Sequence, residues 1–110
     1  MLYDTKWDRP VVDAVGQDLL NAAEYIERHG WCQSRAFDGD RACMMGAIYA
    51  ATGGTFRGLT VGAVDERYLN AVMRVLLIAP SPTRWNDEKG RTKQEVIDAL
   101  RQAAYLKETV

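Results

Sequence analysis

Cys43-Met44-Met45-Gly46-Ala47-Ile48-Tyr49-Ala50-Ala51 is a run of nine residues without a charged side chain. A helix that is apolar all round has to be surrounded by other elements. The run therefore predicts a buried central helix over about residues 41–52, covered by amphipathic helices from the rest of the chain. Asp40 is placed to cap its start and Gly53-Gly54 to end it.

On the N-terminal side, Asp8 is a candidate N-cap with Pro10 in the first helical turn, where proline is tolerated. Val12, Val15, Leu19, Ala22, Ala23 and Ile26 then recur at helical spacing. Gly16 interrupts them at a cost of about 1 kcal/mol relative to alanine, which marks a break or a fresh start. Arg28 and His29 suit a helix C-terminus, and Gly30 reads as the left-handed residue just beyond it. That geometry would fold Trp31 back onto Ile26 and into the core. Asp38-Gly39 marks the tip of a short hairpin.

On the C-terminal side, residues 55–64 mix strand formers such as Phe56 and Val61 with loop-favouring glycines. A third helix is expected over about 65–78, with Leu69, Val72, Met73 and Leu76 inside and Glu66, Asn70 and Arg74 outside. Pro80 and Pro82 stop it. After a connector carrying Trp85, Thr92-Lys93-Gln94-Glu95 forms a capping box for the last helix. Its buried stripe is Val96, Ile97, Leu100, Ala103 and Ala104. The expected fold is all-α and a single domain over residues 1–110. Four main helices make a compact bundle around the central one, with room for a short hairpin or extra helix in the connectors.

Composition narrows the function classes. At 110 residues the chain can bury one core without staples. A net charge of −1 lacks the basic excess of a generic nucleic-acid coat, so nucleic acid is not an expected partner. The opening Met1-Leu2-Tyr3-Asp4-Thr5-Lys6-Trp7-Asp8 has acids where a signal peptide needs an apolar core. No segment approaches the roughly 20 apolar residues of a membrane span. Two cysteines are too few for a disulfide scaffold, so a cytoplasmic setting with reduced thiols is expected.

Three segments together carry a resemblance. They are Tyr25-Ile26 through His29-Gly30-Trp31-Cys32-Gln33, then Cys43 to Ile48, then Trp85-Asn86-Asp87 with Gly90-Arg91-Thr92 and Glu95-Val96. In order and spacing the chain resembles an uncharacterised small helical domain family of actinobacteria and their phages, over about residues 19–104. It is shorter than those domains between Cys32 and the central helix. The resemblance implies a compact helical fold and a phage or prophage origin, and it implies no chemistry.

Three constellations remain. Cys43 near a helix N-terminus, where amides and the dipole favour a thiolate, is a candidate nucleophile, as is Cys32. His29 would serve as its base, with Asn86 or Asp87 to orient it. The bland alternative makes both cysteines small core hydrophobes. His29, Cys32, Cys43 and Asp38 or Asp40 fill only half of a zinc pattern, so no metal or other cofactor is expected. Arg84, Trp85, Asn86, Asp87 and Arg91 form a candidate binding loop; with Lys89 it would grip phosphate while Trp85 stacks on a base. The structural alternative has Trp85 sealing the gap between the last two helices, with Asn86 or Asp87 turning the chain.

None of these assembles a complete acid, base and nucleophile. The leading expectation is accordingly a non-catalytic interaction module with a protein partner, or a homodimer, presenting an exposed patch for which Tyr3, Trp7 and Tyr105 are candidates.

Overall fold

The computed structural model describes residues 12–53 and 66–106. Asp8, Pro10, Gly54, the ambiguous segment 55–64 and the patch candidates Tyr3 and Trp7 lie outside the described residues. Among the described residues the fold is mostly helical, with five helices and one two-stranded sheet.

Helix α1 (Ala14–His29) begins later than the sequence suggested. Its N-cap is Asp13, whose Oδ1 accepts the Gly16 amide at 2.8 Å. Gly16 is no break. A Cβ there would lie 2.4 Å from the Ala104 carbonyl oxygen, so the glycine lets α1 close onto the last helix. At the other end the Gly30 amide donates to the Ile26 carbonyl at 2.8 Å. Gly30 has φ 103° and ψ 169°, a positive-φ extended conformation and not the left-handed helical one expected. The chain leaves it as a strand-like segment: Ala42 N donates to Gly30 O and Cys32 N to Ala42 O, both at 3.1 Å.

Strands β1 (Phe37–Asp38) and β2 (Arg41–Ala42) pair antiparallel around Gly39, the hairpin that Asp38-Gly39 announced. Helix α2 (Met44–Ala51) follows directly. Its cap is Cys43, not Asp40: the Cys43 Sγ accepts the Gly46 amide at 3.3 Å. Asp40 stays in the turn, where its carbonyl accepts the Tyr25 hydroxyl at 3.0 Å. Helix α3 (Glu66–Val75) is followed by a short α4 (Pro82–Asn86) in the connector. Helix α5 (Lys93–Ala104) starts with the reciprocal Thr92–Glu95 capping box.

The core departs from the picture of a sheathed α2. Helix α1 is the element that meets α5, α2 and α3, and its Leu19, Ala22, Ala23 and Ile26 are fully buried. Met44, Ala47 and Ile48 of α2 face it, while Met45, Tyr49, Ala50 and Ala51 are only half-buried. Part-exposed Ala50 and Ala51 leave little apolar area in water and Tyr49 packs edge-on against Tyr68, so an uncharged run need not be enclosed.

Helix α3 is rotated relative to the expected stripe. Leu69 (46% exposed), Met73 (64%), Leu76 (38%) and Leu77 (69%) point outward, whereas Arg74 is buried at 4%. Two bidentate ion pairs explain the rotation. Arg74 grips Asp13 at 2.6 and 2.8 Å, and Arg67 grips Asp18 at 2.7 and 3.3 Å. The pairs run in opposite chain order, so α3 lies antiparallel to α1, with Arg74 buried at one end and an exposed Arg67 reaching across at the other. Fork-shaped pairs of this kind fix orientation as well as energy. Ala71 and Val75 fill the contact, and the leucines are left facing water.

Candidate functional site

The residues singled out in the sequence converge on one corner, where the loop after α1, the start of α2 and the end of α4 meet. Asn86 sits at its centre, 1% exposed. Its Oδ1 accepts the Trp31 indole N–H at 2.7 Å and the Met44 amide at 3.0 Å. Its Nδ2 donates to the Cys32 carbonyl at 3.2 Å and to Asp87 Oδ1 at 3.0 Å. Two acceptor positions and two donor hydrogens are all a carboxamide has. The side chain is saturated by the protein itself.

Asp87 extends the clamp. Its Oδ1 also accepts the amide of Ser34, which sits at φ 72°, a costly conformation for a residue with a Cβ. Gln33 Nε2 donates to the carbonyls of Asn86 and Glu88 at 3.0 and 3.1 Å. The segment 31–34 is thus fastened to α4 and the turn after it along its whole length.

Both thiols are buried and free. Cys32 Sγ lies 3.4 Å from the Arg35 carbonyl and 3.7 Å from that of Arg41. Burial is the main cause that pushes its pKa up. The Cys43 thiol is also raised by burial, even though the amides of Gly46 and Met45 at the helix start pull the other way. Desolvation outweighs the helix end here. Cys43 and Asp87 share the wall of a cavity of about 160 Å³ with Ser34, Arg35, Ala36, Met45 and Thr83. His29 is elsewhere in its bonding. It is exposed, its ring 4.5 Å from that of Tyr25, and no hydrogen bond joins it to a thiol among the described residues. Among the described residues no three His, Cys, Asp or Glu side chains gather as a metal would require.

Trp85 is half-buried against the core. The Arg91 guanidinium lies over its ring at 3.9 Å from the centroid. Arg91 Nε donates to the Trp85 carbonyl at 2.9 Å and its terminal nitrogen pairs with Glu88. One indole face is therefore occupied by a cation already in use. Pro80, Ser81, Arg84, Trp85, Asp87 and Glu88 line an open groove of about 710 Å³, with Arg84 exposed.

Two features escaped the sequence reading. Three of the four partners of the Asn86 amide lie 42 to 55 residues away, and no local spacing encodes them. Leu69, Met73 and Leu76 repeat at helical spacing with Val72 and so read as core from periodicity alone, yet they are exposed. The counter-signal was Arg67 and Arg74, seven residues and therefore two turns apart, facing two aspartates on α1.

No helix among the described residues is long and apolar enough to cross a membrane. No curated protein and no solved structure matches the chain. A family model described as a family of unknown function, DUF6197, matches residues 10–106, which takes in every element described above. The chain belongs to that family.

Proposed function

We propose that this chain is a non-catalytic protein-interaction module that docks through the outward face of α3. One observation carries the reading: α3 buries Arg74 and, together with the turn that follows it, leaves Leu69, Met73, Leu76 and Leu77 in water. Burying such a side chain fully is favourable by about 1.5–3 kcal/mol, so a partner that covers several of them gains substantially. Leu69 and Met73, four apart on α3, are spaced as the anchors of a helix that lies in a partner's groove, and Leu77 extends the patch in the turn after Val75. Methionine in the middle adapts to an irregular surface.

The other corner supports the same reading from the opposite side. Asn86 has no hydrogen-bonding position left for a ligand, and both thiols are held protonated by burial. Those residues serve to hold the scaffold. The resemblance to domains of actinobacteria and their phages supplies the biological setting of the reading, a small phage or prophage protein that acts by binding.

A photo-crosslinking amino acid placed at Met73 in the expressed protein tests the proposal. A discrete protein adduct is expected on illumination, and none from the same group at Asp98, on the exposed side of α5. Equal and diffuse labelling at both positions would refute it.

A further inference from the structure

We infer that the occupant of the α3 face is a second copy of this chain, its α3 laid antiparallel across the first about a two-fold axis at Met73. The inference rests on the reading of α3 as a docking face and names its partner. Leu69 on α3 and Leu77 in the turn just after Val75 stand four residues to either side of Met73, and all three are exposed. A two-fold axis through Met73 sets Leu69 against the partner's Leu77, Leu77 against the partner's Leu69, and Met73 against itself. A stripe symmetric about one residue is what a self-complementary interface requires.

Charge fixes the direction. Glu66, at the start of α3, is exposed and forms no ion pair among the described residues. Arg84, in α4 past the other end of the stripe, is likewise exposed and in no ion pair among the described residues. Antiparallel packing carries each Glu66 toward the partner's Arg84 and toward the groove that Arg84 lines with Pro80 and Trp85. Parallel packing would bring like ends together. The exposed side chains amount to a few hundred Å² of apolar surface. That is below the roughly 800 Å² each partner gives to a standard interface, so the dimer is weak and depends on concentration.

Sedimentation velocity of the purified full-length chain, from about 1 to 500 µM, reads the outcome. The weight-average mass is expected to climb from one chain toward two. Met73→Arg sets two cations against each other on the axis and should keep the chain monomeric throughout, with an unchanged far-ultraviolet spectrum. Glu66→Arg and Arg84→Glu should each weaken association several-fold, and the double swap should restore it. A wild-type chain that stays monomeric over the whole range overturns the inference, as does a dimer indifferent to Met73→Arg. A double swap that fails to restore association overturns the antiparallel arrangement. If the chain is monomeric yet the crosslinker at position 73 captures a different protein, only the occupant is wrong. If it captures nothing, the docking face falls too.

Discussion

The Asn86 carboxamide joins three segments that have no other reason to meet: the indole of Trp31, the first amide of α2 and the carbonyl of Cys32. Removing it strands the buried Met44 amide and the Trp31 N–H, each at a cost of about 1–3 kcal/mol. Asn86→Ala is therefore expected to lower unfolding free energy by about 2–4 kcal/mol in urea titration. Lys89→Ala, at an exposed neighbour, should change it by less than about 0.5 kcal/mol. The thiols give a second expectation at this scale. Cys32 and Cys43 are buried with raised pKa values, so both should resist iodoacetamide near neutral pH until denaturant is added. Rapid alkylation of either in the folded protein would contradict the account. The sequence marked Trp85-Asn86-Asp87 as a special triplet. It could not say whether the amide bonds outward to a ligand or inward to the chain, because that depends on which distant backbone groups arrive beside it.

At the scale of elements, α3 is held by polar latches more than by its apolar stripe. Asp13 both caps α1 and receives Arg74, and these bonds hold its carboxyl at about 2, well below the usual range. A carboxylate lowered in the folded state stabilises at any pH above its unfolded value of 3.8, and that contribution disappears as pH falls toward 2. The gap in urea midpoint between wild type and Asp13→Asn should stay constant down to about pH 5 and narrow below it. Asp13 is half-exposed, so solvent screening keeps the effect modest. A gap that widened with acid would contradict the pairing. Helix α2 offers a steric counterpart. A Cβ at Gly46 would lie 2.3 Å from the Ala36 carbonyl oxygen, so Gly46→Ala should destabilise by about 1–3 kcal/mol despite alanine's better helix propensity. Helices and caps with local causes were legible: the Thr92–Glu95 box and the Asp38-Gly39 turn stand where the residues put them. The rotation of α3 was not legible, because periodicity finds a stripe without saying whether the core or the solvent receives it.

For the whole molecule, α1 is the hub, with α5 and α2 packed closely against it and α3 attached along its remaining side. Reading α2 as the hub weighed its lack of charge above its size. Eight residues, four of them glycine or alanine, cannot fill the middle of such a domain, whereas sixteen residues with Leu19 and Ile26 buried can. The consequence is an apolar face on α3 directed away from the core, and on it the functional reading stands. Peroxide oxidation of methionine, followed site by site in tryptic peptides, tests this most directly, since exposed thioethers oxidise and buried ones do not. In dilute solution Met73, 64% exposed, is expected to react promptly while Met44, fully buried, stays protected until the chain unfolds. Protection of Met73 equal to that of Met44 at every dilution would place the stripe in the core and contradict the account.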